Sequence, residues 1–184
     1  MKRLSIVLFA ATFLFACNNE KKTDESAGKT EEKKESASIV YPYTAGYSSD
    51  FSMGDANHSK MVLDLYKMWE DNKVDEMKTL LADSVRIDFP DGNKFNDNTA
   101  DSLIRFAKKI RSTLSSVKLT FEAWMPIHEN KTKDDYVLVW IRDYSTDMAG
   151  KVDSSLAHAY FQIKNNKIRS WSEFQQKLTP PAKK

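Results

Sequence analysis

The chain has one cysteine, Cys17, among 184 residues. A lone thiol excludes an intrachain disulfide framework and any zinc or iron–sulfur site built from several cysteines. Histidine is nearly as scarce: His58, His128 and His158 are scattered, which is not the pattern of a transition-metal site. The sequence contains no Gly-rich phosphate cradle, nucleophile elbow or other recognised catalytic motif. It also lacks charge of one sign. The 28 basic residues against 26 acidic ones give +2, but Lys2 and Arg3 lie in a first sixteen residues that hold no acid, so the remainder carries 26 of each. A neutral chain lacks the electrostatic footprint of a nucleic-acid binder. No metal or cofactor is therefore expected, and no nucleic-acid partner. The length allows one ordinary domain plus extras.

The N-terminus, residues 1–16, has the layout of a secretory signal: Lys2 and Arg3, then an apolar run from Leu4 to Phe15. That run is about a dozen residues, short of the ~20 needed to span a bilayer as a helix. It ends in Leu14-Phe15-Ala16-Cys17, which resembles a bacterial lipoprotein lipobox, with Phe15 departing from the small residue usual at that place. The resemblance implies cleavage before Cys17, acylation of Cys17, and the lipid bilayer as a partner. Several acyl chains would hold stably where one holds only marginally. Asn18 in place of an Asp points to the outer membrane, and the expected address is the cell envelope of a Gram-negative bacterium.

Residues 17–38 comprise Cys17 and a linker with eleven charged residues and no aromatic. Such a stretch cannot bury enough apolar surface to offset its ordering entropy, so a disordered tether spanning roughly 25 Å is expected. Residues 39–57 differ: Tyr41, Tyr43, Tyr47 and Phe51 stand among Gly, Ser and Pro without clear periodicity. This pattern suggests a strap packed on the domain or covering the mouth of a pocket. A short tail, 179–184, ends the chain.

From 58 to 178 the chain is periodic. Met61, Val62, Leu65, Tyr66 and Trp69 predict an amphipathic helix over His58–Asn72, and Val74, Met77, Leu80 and Leu81 predict a shorter one. Val85 to Phe89 alternates as a strand, stopped by the turn signal Pro90-Asp91-Gly92. A third helix is expected over Thr99–Leu114, with Asn98 or Thr99 as its N-cap. Strands follow over Val117–Trp124, Tyr136–Tyr144, Ser155–Lys164 and Lys167–Gln175, the last two joined by a two-residue Asn165-Asn166 hairpin. The expected class is α+β: about three N-terminal helices packed on a curved, mostly antiparallel sheet.

This order, with the stretches Leu65–Asn72, Leu80–Val85 and Phe161–Ile168, resembles the nuclear transport factor 2-like superfamily and its SnoaL-like branch. The resemblance implies a cone-shaped domain over 58–178, with a pocket between sheet and helices and frequent homodimerisation through the sheet. It does not imply one activity, because the superfamily includes isomerases, cyclases, dehydratases and binding modules.

Catalytic members commonly use a pocket carboxylate as a base next to a carbonyl, placed just before the turn that ends the first strand. Here that residue is Phe89, and Asp88 lies one step earlier, on the opposite face unless a bulge intervenes. Some cyclases use an Asp at the end of the last strand, where this chain has Phe174-Gln175-Gln176. Both departures count against the family's usual chemistry. Asp91 to Asn98 has a calcium-loop flavour, but Phe95 stands where a ligand is needed, so a polar turn is the better account.

Regular alternation divides the late strands into an aliphatic face and a face collecting Trp140, Arg142, Tyr144, His158, Tyr160, Trp171 and Glu173. That second face can be a ligand pocket, a dimer interface or an outer surface. The pocket reading makes Tyr66, Trp69, Phe89, Trp140, Arg142, Tyr144, Tyr160 and Trp171 the lining candidates. His158 paired with Glu173, or Asp88 through a bulge, are the candidate bases. The leading expectation is a membrane-anchored, non-enzymatic module for a small apolar or aromatic ligand or a partner. The alternatives are an isomerase- or cyclase-type enzyme and a structural dimer.

Overall fold

The computed structural model describes residues 39–95 and 99–178. The expected signal, lipidated Cys17, linker and C-terminal tail lie outside the described residues, as do residues 96–98 of the polar turn. The chain divides into two units, Met1–Pro42 and Tyr43–Lys184, and every element of the described residues lies in the second. In chain order the elements are β1 (Phe51–Met53), α1 (Ala56–Glu70), a 3-10 segment (Glu76–Leu80), β2 (Leu81–Asp88), β3 (Lys94–Phe95), α2 (Ala100–Arg111), β4 (Leu114–Glu129), β5 (Asp135–Asp147), β6 (Val152–Lys164) and β7 (Lys167–Lys177). The strands form one curved seven-stranded sheet in the order β1-β4-β5-β6-β7-β2-β3. All pairings are antiparallel except β2 with β7.

The first helix is set by its ends. The Asp55 carboxylate caps it by accepting from the Asn57 N–H at 2.8 Å. At the other end Asn72 takes φ 60°, its N–H reaches Trp69 O, and the Lys73 N–H reaches Met68 O at 2.8 Å. This pattern closes the last turn on a left-handed residue that Asn tolerates. Arg111, only 6% exposed at the end of α2, donates to the Trp69 carbonyl at 3.1 Å, the Glu70 carbonyl at 3.3 Å and the Leu114 carbonyl at 2.9 Å. One guanidinium thus ties both helix ends to the start of β4. The third expected helix forms as α2, with the Thr99 hydroxyl accepting from the Ser102 N–H.

The middle expected helix does not form, so the described residues hold two α-helices where three were expected. Val74, Met77 and Leu80 recur every three residues, which suits a 3-10 turn of 3.0 residues better than an α-turn of 3.6. Leu81 already belongs to β2 and pairs with Ile168. The run is too short to repay α-helix nucleation before the strand begins. The Asn165-Asn166 hairpin does form, with φ of 53° and 54°.

The residues after Pro42 supply an edge strand. β1 pairs with β4, and Tyr47 donates a 2.8 Å hydrogen bond to Asp134 and packs edge-on against Tyr136. Beside it the fully buried Glu129 carboxylate accepts from the Ser48 hydroxyl at 2.5 Å, from the Lys131 N–H at 2.9 Å, and from the Thr132 N–H. The main core lies between the concave sheet face and the helices. Val137, Val139, Ala159, Phe161 and Ile168 from the sheet meet Val62, Leu65, Leu103 and Ile104 from the helices.

Candidate functional site

The sheet face that lines the site is decided by one residue. At the β6–β7 hairpin Ile163 pairs with Ile168, but Gln162 pairs with Ser170, so Arg169 is an extra residue on β7. Its guanidinium donates to the Ser84 carbonyl at 2.6 Å. A bulge of this kind shifts every later residue by one, and in a strand that exchanges the two faces. Phe161 therefore stands opposite Trp171 and Ala159 opposite Glu173, whereas His158 stands opposite Phe174. Trp171 and Glu173 join the aliphatic, concave face. The face division drawn from regular alternation is thereby corrected, and the His158–Glu173 pair does not form.

Between that face and the helices is a cavity of about 230 Å³. Tyr66 and Trp69 of α1, Phe106 and Ile110 of α2, Phe89 after β2, and Phe161 and Trp171 of the sheet make most of its wall. The Tyr66 ring sits edge-on against Phe121 at 5.4 Å and Phe161 at 5.6 Å, and Phe161 stacks on Trp171 at 5.5 Å. Two carboxyls enter this apolar wall, Asp143 from β5 and Glu173 from β7, on the strands flanking β6. Ala157 of β6 lines the cavity with no more than a methyl group. Of the sequence candidates, Tyr66, Trp69, Phe89, Trp171 and Glu173 line the cavity.

Burial dominates the chemistry of the two acids. It raises Glu173 to about 7, with the like charge of Asp143 adding to the effect. Burial also raises Asp143, helped by Asp153 and opposed by the Ser145 hydroxyl, which donates to it at 2.9 Å. The Tyr66 phenol is pushed well above its ordinary range by burial first and then by the two carboxyls. Neither the Tyr66 hydroxyl nor the Glu173 carboxyl has a hydrogen-bond partner among the described residues. Among the described residues no lining side chain is basic. Both acids keep some accessible surface, which the cavity supplies. The arrangement can hold or move a proton at Glu173 near neutral pH, and it can take a polar group of a bound molecule.

The remaining candidates lie elsewhere. Trp140 stacks on His158 at 4.8 Å, and His158 stacks in turn on Phe174 at 6.4 Å, on the outer sheet face with Tyr160. The His158 Nδ1 lies 3.1 Å from the Val139 carbonyl. Arg142 pairs with Glu122, and Tyr144 is exposed on the same outer face. Asp88 is also on that side, accepting from the Ser172 hydroxyl at 3.1 Å with Lys94 and Arg86 nearby. Burial pulls its carboxyl up, but Ser172 and the two cations together hold it below the ordinary value. Strand alternation had assigned Asp88 to that side, and no bulge restores it to the cavity. Among the described residues no cluster of His, Cys, Asp or Glu could hold a metal ion.

Asp143 was missed from sequence. The signal was its place as the fourth member of the alternating set Val137, Val139, Ile141, Asp143: a carboxylate on the most aliphatic face of the sheet.

No family profile matches the chain, and no curated protein sequence does. Solved structures do. An LEH-like epoxide hydrolase of M. tuberculosis superposes with a TM-score of 0.55 at 8% identity, covering 65% of this chain and 82% of its own. An NTF2-like protein of unknown function from Burkholderia pseudomallei gives 0.54 at 14% identity, covering 66% and 92%. A protein of ketosteroid isomerase-like fold from Catenulispora acidiphila, solved with trimethylamine, gives 0.52 at 9% identity, covering 62% and 84%. At such identities the likeness speaks to architecture alone. The chain has the nuclear transport factor 2-like α+β fold.

Proposed function

We propose that the chain is a binding domain for a small, largely apolar molecule, which enters the concave cavity and sets its polar end against Glu173, Asp143 and Tyr66. The single observation that carries this reading is an aromatic-walled cavity holding a carboxyl and a phenol without hydrogen-bond partners among the described residues. Buried polar groups are normally satisfied, so groups left open at a cavity are groups kept for a ligand or for water. One structural neighbour is an epoxide hydrolase and another was solved in complex with trimethylamine, which is in keeping with this use of the fold. Native mass spectrometry of the full chain against a small-molecule library is the test. A retained ligand that Phe161→Trp or Trp171→Ala displaces supports the reading, and an empty protein throughout refutes it.

A second reading is proton transfer by Glu173, favoured because its carboxyl titrates near 7 inside the cavity. It replaces the routes through His158 and Asp88, which lie outside the cavity. Turnover that survives in Glu173→Gln would exclude it. The exposed ring ladder of Trp140, His158 and Phe174 is where a second copy would dock, and sedimentation at high concentration tests that interface. The domain is further proposed to be tethered to the envelope through Cys17. Cys17→Ser is expected to move the protein from the membrane to the soluble fraction.

A further inference from the structure

The cavity's walls also narrow the class of molecule it would hold. Among the described residues, every titratable side chain that faces it is an acid or a phenol: Asp143 on β5, Glu173 on β7 and Tyr66 on α1. The lining residues from β2, α2, β4, β6 and the 3-10 segment carry no titratable group at all. The two carboxyls stand on the same sheet face, on either side of β6, with Ala157 leaving the space between them open. Around them stand the rings of Trp69, Trp171 and Phe161.

Starting from the reading of this cavity as a small-molecule site, we propose that its ligand is an organic cation: an amine whose ammonium group lies between Asp143 and Glu173 while its hydrocarbon part packs on the aromatic wall. Three alternatives fit less well. An anion would meet two acids and no cation. A neutral molecule pairs with the acids only while they stay protonated and offers no countercharge once they ionise, when an unpaired charge in an apolar enclosure is costly. A divalent metal asks for some six or more oxygen ligands, and an apolar wall with two carboxyls and a phenol does not supply them. An ammonium brings positive charge and N–H donors to both carboxyls, and the faces of the indole and phenyl rings attract it in addition.

Binding has a proton balance. The amine arrives as the ammonium and stays so, and protonated Glu173 releases its proton to solvent as the ion pair forms. Affinity should therefore rise with pH as Glu173 ionises through about 7. It should fall again only where the amine itself loses its proton, near 10 for an alkylamine.

The test uses the full chain in detergent and three probes of like shape: 2-phenylethylamine, 2-phenylethanol and 3-phenylpropanoate. The readouts are the tryptophan fluorescence, to which Trp69 and Trp171 in the cavity wall contribute, and titration calorimetry. The amine is expected to bind at least about tenfold more tightly than the alcohol at about pH 8, and the advantage to shrink severalfold at about pH 6. The carboxylate is expected not to bind. Glu173→Gln and Asp143→Asn, each checked for folding by circular dichroism, should bring amine and alcohol to within about threefold of each other while alcohol binding persists. An alcohol that binds as tightly as the amine, or an amine preference that survives both substitutions, overturns the cation assignment and leaves the small-molecule reading standing. Failure of all three probes to bind overturns both.

Discussion

Replacing Glu173 by Gln tests whether the cavity excludes water. A carboxyl that ordinarily titrates at 4.5 and is raised to about 7 favours the folded state only while protonated. Its contribution is fully present below about 4.5 and is lost as pH rises through about 7. At about 1.4 kcal/mol per pH unit, ionised Glu173 costs the fold up to about 3–4 kcal/mol above neutrality. The cost is smaller to the extent that water enters the cavity and screens the charge. Gln keeps the shape and does not ionise. Urea denaturation of the two proteins from about pH 4 to pH 9 should therefore show wild-type stability falling relative to Glu173→Gln between the two pKa values and levelling off above them. In thermal melts the gap should approach roughly 10 °C for a domain of this size. Parallel pH profiles would refute the reasoning, because they would mean that Glu173 is solvated in the folded state and that the cavity is an open, wet cleft.

Other consequences follow from particular contacts. Glu129, held at about 2 mainly by the Ser48 hydroxyl and the Thr132 N–H, stabilises the fold above about 4.5, and that stability is lost as pH falls toward 2. Glu129→Gln should therefore flatten the acid limb of the unfolding curve and speed hydrogen exchange in β1. Arg111→Met leaves three carbonyls without their shared donor and is expected to cost about 2–4 kcal/mol in urea denaturation. Phe161→Ala removes a ring that is only 1% exposed and packs on both Tyr66 and Trp171. It should cost about 3–5 kcal/mol by the same measurement. Deleting Arg169 takes out the extra residue but leaves Trp171 opposite Phe161 and Glu173 opposite Ala159, so the variant should keep a cooperative unfolding transition and the pH dependence that Glu173 confers.

Much of the architecture was legible in the residues themselves because it depends on local physics. The 3.6-residue spacing from Met61 to Trp69, the Thr99 cap, the Pro90-Asp91-Gly92 turn and the Asn165-Asn166 hairpin each act within a few residues of their own position. Local pattern misled where two periods fit one short run. The three-residue spacing of Val74, Met77 and Leu80 serves a 3-10 turn as readily as an α-turn, and the length available before β2 decided between them.

The site depended on something the pattern did not carry. Trp140, His158 and Tyr160 are bulky enough to suggest a pocket wall, yet they form a ring ladder on the outer face. The small and aliphatic residues opposite them line the core and cavity. A sheet face is a matter of register, register is a property of two strands together, and one bulged residue reverses it. In retrospect the three-residue step from Ile168 to Trp171 hints at that bulge, but only pairing with β6 locates it. The sequence alone determined both α-helices, the long strands, the Asn165-Asn166 hairpin and the α+β class, because each is encoded by neighbours along the chain. Only the tertiary structure brought Asp143 and Glu173 to one apolar cavity and put His158 and Asp88 outside it, because that sorting rests on how β6 and β7 align.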